Sequence, residues 1–257
     1  MFSQKAATRG YQVCAAGFKN ETDKNLSNCV HSMEWLYLGQ ISKLVRFFKK
    51  HDIDQAVMLG SISKTNIFKD IRPDFKALSF IAKSGLTHDD SILTSFADLL
   101  LKEGIKILPS TFLLPELIAP EGCWTKRRPD KAEKKDIELG WKIAKQIGSL
   151  DIGQCIVISN GTILAVEAIE GTDETIQRAG KLAHGSSPVV IKVLKPSQDL
   201  RFDLPSSGTE TIETMHKSGA GVLVVEAGRS IVFDREEMIR RADQYKISIV
   251  GFTDKGR

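Results

Sequence analysis

Apolar positions change their period along this chain. Ile41, Leu44, Val45 and Phe48 recur at helical spacing between Gly39 and Lys50, and the apolar run 56–59 that follows has the length of a short buried strand. Gly60 and Ser61 end it, and a strand followed by a Gly-Ser turn is where open α/β sheets place ligands, at the carboxyl edge of the strands. Helical spacing returns over residues 90–103, with Ile92, Leu93, Phe96, Leu99 and Leu100 on one face, before a predicted strand at 105–108 that Pro109 stops. Residues 136–147 predict a helix turning Ile137, Trp141, Ala144 and Ile147 inward. Two strand-prone runs, 155–159 and 162–166, flank Asn160-Gly161, the pair that best supplies positive φ in a two-residue hairpin turn. Beyond the hairpin the pattern predicts a helix after Thr172, a strand at 189–193, a helix near 211–217 and a strand at 221–225. A capping box of Asp234 and Glu237 is expected to open a further helix, and a last strand at 248–250 is expected to close at Gly251.

Helical and strand periods that alternate in this way predict an α/β fold. Residues 115–129, with Pro115, Pro120, Gly122 and the basic trio Lys126-Arg127-Arg128, have the composition of a connection. Two domains are therefore expected: a Rossmann-like layered α/β domain over 1–119, a linker over 120–130, and a C-terminal α/β catalytic domain over 131–257.

The net charge of +4 is spread over interleaved acids and bases, which leaves nucleic-acid binding without the basic block it needs. Cys14, Cys29, Cys123 and Cys155 lie far apart with no Cys-x-x-Cys pair, so reduced thiols fit better than a zinc ribbon or a disulfide framework. No apolar run approaches the roughly 18 residues that span a bilayer, and the start lacks the basic-then-apolar layout of a secretion signal. A cytoplasmic protein, soluble or peripheral to a membrane, is expected.

Dinucleotide fingerprints, a P-loop lysine, a nucleophile elbow and paired zinc histidines are all missing from the sequence, and the five histidines are scattered. Carboxylates are the better candidates. In the run Glu167 to Asp173, Gly171 lets the backbone approach a ligand and the helix start at Thr172 favours a phosphate, while Glu170 and Asp173 suit a hard cation. An ordinary helix cap with an acidic first turn accounts for the same residues. Residues 195–205, bracketed by Pro196 and Pro205, are expected to be extended. Alternation then places Asp199, Arg201 and Asp203 on one side and Leu200, Phe202 and Leu204 on the other, an arrangement that suits metal and phosphate together or a salt-bridged edge strand. Asp89-Asp90 opens a helix, where capping explains it. Arg229, in a turn between two strands, is a phosphate contact or a surface charge.

Taken in order, Leu150-Asp151-Ile152-Gly153-Gln154, the run from Ala165 to Asp173, Lys195-Pro196 with Arg201-Phe202-Asp203-Leu204-Pro205, and Val225-Glu226-Ala227-Gly228-Arg229 resemble the UDP-2,3-diacylglucosamine pyrophosphatase family of lipid A biosynthesis, the LpxI type. The likeness is close through the C-terminal half. It continues more thinly through Leu38-Gly39-Gln40, Gly60-Ser61 and Asp89-Asp90, with His88 standing where family members carry Gly. Members also open with a strand and a Gly-rich turn, whereas this chain is read as starting inside the first helix with that strand missing.

The resemblance implies metal-dependent hydrolysis of UDP-2,3-diacylglucosamine to UMP and 2,3-diacylglucosamine 1-phosphate, with the substrate held between two domains. Asp203 is then the catalytic residue, and Glu170, Asp173, Asp199 and Asp203 are the ligands of a divalent cation of the Mg2+ type. Gly60, Ser61, Gly171, Thr172, Lys195, Arg201 and Arg229 are the substrate contacts. Peripheral contact with the cytoplasmic face of the inner membrane and pairing into a homodimer are compatible with this reading. A non-catalytic sugar-nucleotide or lipid-binding protein and a different metal-dependent phosphohydrolase are the alternatives.

Overall fold

The computed structural model describes residues 1–60, 71–84 and 89–254. Ser61 and His88 lie outside them. The chain forms two α/β units, Met1–Leu114 with Asp199–Phe202, and Pro115–Gln198 with Asp203–Arg257.

In the first unit the described elements run α1 (Phe2–Thr8), β1 (Cys14–Phe18), β2 (Ser32–Leu36), α2 (Ile41–Lys50), β3 (Gln55–Val57), α3 (Phe75–Ser84), α4 (Asp89–Lys102) and β4 (Lys106–Leu108). β1 pairs in parallel with β2, and β3 with β4. The helical spacing read around α2 is its buried face, where Ile41, Leu44, Val45 and Phe48 are joined by Phe47. Asp74 serves two helix starts at once, its carboxylate accepting from Ser42 N at 2.6 Å and Ala77 N at 3.0 Å. The pattern of apolar residues missed β1 and β2. Cys-Ala-Ala-Gly-Phe contains no β-branched residue, and Ser-Met-Glu-Trp-Leu alternates polar and apolar over only its first four residues, so each carries a weak strand signal of its own.

The second unit is built on a six-stranded sheet. Its strands are β5 (Gly122–Cys123), β6 (Cys155–Ser159), β7 (Thr162–Val166), β8 (Val189–Lys192), β10 (Val222–Glu226) and β12 (Ser248–Phe252), in the order β5-β12-β10-β8-β6-β7. A separate parallel pair joins β9 (Ser206–Ser207) to β11 (Ile231–Val232). β8, β10 and β12 are parallel, and β6 runs antiparallel to both β7 and β8. Strand alternation splits the apolar residues between two faces. Ile156, Ile158, Val189, Ile191, Val222 and Val224 pack with Ile137, Trp141 and Ala144 of α5 (Lys131–Ser149). Cys155, Val157, Val190, Leu223 and Val225 pack with Ile176 of α6 (Thr172–Leu182), Ile212 and Met215 of α7 (Thr209–Lys217), and Met238 of α8 (Arg235–Gln244). The result is helix, sheet and helix in three layers.

The hairpin forms as expected, with Asn160 at φ 50° and Gly161 at φ 76° between β6 and β7. Asp136 of α5 fixes it by accepting from both turn amides, Asn160 N at 2.8 Å and Gly161 N at 2.7 Å.

Four expectations need correction. Residues 120–130, read as a linker, form an edge of the second unit: β5 pairs with β12, and Arg127 donates to the Gly221 carbonyl and to Ser248 Oγ. Gly251 does not close the last strand but lies within it, where a Cβ would overlap the Pro120 carbonyl. The capping box expected at Asp234 is absent, because Asp234 adopts a left-handed conformation at φ 45°, ψ 49° and Glu237 is engaged by Arg240 and Arg241. A capping box does form at α5, where Asp130 accepts from Glu133 N at 2.8 Å and Glu133 from Asp130 N at 2.9 Å. Finally, residues 195–205 are not extended. Gln198 N donates to the Lys195 carbonyl and Phe202 N to the Asp199 carbonyl, giving two successive turns. Asp199 promotes the second by accepting from Arg201 N at 2.9 Å, a local bond that competes with an extended chain.

Candidate functional site

The carboxyl ends of β8 and β10 meet the start of β6 and the end of β7, since Lys192 stands opposite Cys155 and Val225, and Val166 opposite Ile156. Four buried polar side chains gather along this edge of the sheet or just beyond it: Glu167, Lys192, Gln198 and Glu226. Burying such groups is costly unless each finds a partner, so their partners define what the edge does.

Glu226 is a structural tie. Its Oε2 accepts from Lys145 Nζ at 2.6 Å and from Leu194 N at 2.9 Å, fixing the chain that leaves β8. Arg229, the sequence candidate from the same turn, is mostly exposed and its Nη1 lies 3.7 Å from Glu226 Oε1. Gln198 joins two of the sequence motifs. Its Nε2 donates to Asp203 Oδ2 at 2.8 Å and approaches Gln154 Oε1 at 3.3 Å, while its Oε1 accepts from Lys195 N at 2.9 Å. Lys195 closes the same link through its ion pair with Asp151 at 2.7 Å. Residues 150–154 and 195–203, far apart in sequence, are thereby brought together with the Asp203 carboxylate held in a set orientation.

Glu167 follows β7. Its Oε1 accepts from Thr172 Oγ1 at 3.0 Å, whereas its buried Oε2 has no hydrogen-bond partner. Gly153 is required beside it, because a Cβ there would overlap the Glu167 carbonyl. Glu167, Lys192 and Asp173 are the charges that act on the Cys155 thiol, which burial first of all, and then the two carboxylates, push well above the usual thiol range.

Gly171 begins α6 at φ 87°, ψ 170°, and neither it nor Gly208, which begins α7, offers a side-chain cap. Between these two helix starts and Lys192 lies a cavity of about 430 Å³ that also takes in Ser206, Ser207, Phe233 and Asp234. Sequence reasoning missed Lys192, Gln198 and Ser207. A signal for the first was present, since Lys192 interrupts the apolar run Val-Val-Ile-Lys-Val-Leu where a soluble domain rarely buries a cation.

Two of the four carboxylates assigned to a metal, Glu170 and Asp199, are paired with arginines. Glu170 is paired with Arg178 at 2.6 Å, and bonds from its own amide and from Arg178 hold its carboxyl below the ordinary range. Asp199 belongs to the first unit with Arg201, whose guanidinium donates to it through Nε and Nη2 and lowers its carboxyl. No group of three or more His, Cys, Asp or Glu side chains able to hold a metal ion occurs among the described residues. Gly60, with φ 92°, is an exposed residue after β3.

The LpxI N-terminal domain matches residues 1–117 and the LpxI C-terminal domain residues 120–250. UDP-2,3-diacylglucosamine pyrophosphatase LpxI of Caulobacter vibrioides is 32% identical over 230 residues, covering 86% of this chain and 82% of that protein. The bifunctional purine biosynthesis protein PurH of Bacillus subtilis is 28% identical over 131 residues, covering 49% of this chain and only 22% of PurH. Both domain matches and a full-length relative therefore agree with the motifs joined at the sheet edge: the chain belongs to the LpxI family.

Proposed function

We propose that this protein hydrolyses the pyrophosphate bond of UDP-2,3-diacylglucosamine, releasing UMP and 2,3-diacylglucosamine 1-phosphate on the cytoplasmic side of the membrane. The observation that supports it best is the orientation of Asp203 by Gln198 at the point where the family's motifs converge. Phosphoryl transfer to water needs an aligned nucleophile and charge neutralisation rather than a covalent intermediate. A carboxylate held by an amide N–H has the direction needed to orient a water molecule and take up its proton as the P–O bond forms. No helix among the described residues is long and apolar enough to cross a membrane.

Divalent-cation dependence belongs to this reading as a proposal resting on the charge of a pyrophosphate, with no group of three or more His, Cys, Asp or Glu side chains able to hold a metal ion among the described residues. Release of UMP from UDP-2,3-diacylglucosamine is the deciding assay. Activity that falls on chelation and returns with Mg2+ is expected, and full activity after exhaustive chelation removes the cation. Equal turnover of UDP-glucosamine without acyl chains would reject the lipid substrate, because each buried methylene is worth about 0.8 kcal/mol.

A further inference from the structure

We propose that Gln198 is a positioning residue for the hydrolysis, acting on the reaction through Asp203, whose carboxylate it holds in one direction. This rests on the reading above for the role of Asp203.

The turn that carries Gln198 fixes which way its side-chain amide points. Gln198 N donates to the Lys195 carbonyl at 3.1 Å, and Lys195 N donates back to Gln198 Oε1 at 2.9 Å. A backbone N–H can only donate, so the side-chain oxygen has to face Lys195 and the NH2 end has to face away from it. That end meets two acceptors, Asp203 Oδ2 at 2.8 Å and Gln154 Oε1 at 3.3 Å. Gln154 is tied to the sheet, its carbonyl accepting from Val193 N at 2.9 Å just beyond β8. The ion pair of Lys195 with Asp151 anchors the turn to the loop that carries Gln154.

The residue type fits a positioning role. Gln198 is 8% exposed, and a hydrogen bond to a carboxylate is stronger where water is kept away. A Glu at this position would satisfy Lys195 N but set a second carboxylate against Asp203. A Met would fill the space and bond to neither, and an Asn is shorter by a methylene. A side chain that served the turn alone would need only the contact with Lys195 N. The bond from Nε2 to Asp203 is the part that the turn does not explain.

A double-mutant cycle on UMP release from UDP-2,3-diacylglucosamine tests the assignment, using Gln198→Met, Asp203→Ala and the two combined. Gln198→Met keeps the volume and removes the bonds, so kcat is expected to fall by about 10- to 10²-fold with KM within about two-fold of the wild type. In the Asp203→Ala background the same substitution is expected to change kcat by less than about two-fold, because the group it acts through is gone. Equal fold-losses in the two backgrounds overturn the proposal, as does near-normal kcat in a folded Gln198→Met. A measurement without substrate decides where Gln198→Met does not fold or the wild type is inactive. In nuclear magnetic resonance spectra of the isotope-labelled full chain, the side-chain amide protons of Gln198 are expected to lie downfield and to move upfield in Asp203→Ala; an unmoved resonance overturns the proposal. A wild type that releases no UMP while this resonance moves keeps the Gln198–Asp203 link and rejects the hydrolysis. UMP release with equal fold-losses in both backgrounds keeps the hydrolysis and rejects the positioning.

Discussion

Asp203 and Gly153 show how differently single residues can matter at one sheet edge. The Asp203 carboxylate is positioned by Gln198 and does not fill a core, so Asp203→Ala should leave the fold intact. UMP release is expected to fall by about 10²- to 10⁴-fold with little change in substrate affinity, the pattern of an interaction made mainly in the transition state. Near-normal turnover in a folded variant would remove Asp203 from the chemistry. Gly153→Ala acts through geometry instead. Its Cβ would meet the Glu167 carbonyl, a backbone group that cannot swing aside, so a loss of about 1–3 kcal/mol is expected in urea unfolding. An unchanged midpoint would show that the loop 150–154 shifts freely.

Helix starts make the contrast between pattern and structure testable at the level of the element. Asp130 and Asp234 both precede helices and both are followed three residues later by Glu, yet only Asp130 caps. Asp130→Ala should cost about 1 kcal/mol and Asp234→Ala less than about 0.5 kcal/mol. Comparable losses at the two positions would contradict the geometry. The same pair shows why the motif was readable and its outcome was not: the sequence pattern S/T/D-x-x-E records which residues can bond, whereas the backbone conformation at Asp234 and the arginines beside Glu237 decide whether they do. Residues 195–205 make the same point, since two prolines suggested extension and a side-chain bond from Asp199 imposed a turn.

For the whole molecule, acid stability should report two carboxylates, one in each unit. Glu103, bonded to Lys49 and Lys76, and Glu237, bonded to Arg240 and Arg241, both have pKa values lowered from 4.5 to about 2. A depressed folded pKa means that the unfolded chain binds more protons between those values. The stabilisation is therefore complete above about pH 4.5 and is lost as the pH falls through about 2. Thermal midpoints should decline over that window, less steeply in Glu103→Gln and Glu237→Gln, and with smaller amplitude in high salt because these pairs are at the surface. Identical acid profiles in the variants and the wild type would exclude these carboxylates as the source.

The sequence by itself determined what depends on neighbours along the chain: the helix faces of α2 and α5, the Asn160-Gly161 hairpin, the apolar strands β8 and β10, and the two-unit α/β character. Each is specified by a period or a turn residue within a few positions. Tertiary structure decided the rest. β1 and β2 become strands by pairing with each other, and the residues from Gly122 to Arg127 become a sheet edge because β12 supplies the partner. Glu170 and Asp199, two of the candidate metal carboxylates, are each paired with an arginine, Arg178 and Arg201. Lys192, Gln198 and Ser207 acquire their importance only when a strand end, a turn and two helix starts meet, because burial and the presence or absence of a hydrogen-bond partner are properties of the packed molecule and not of the chain.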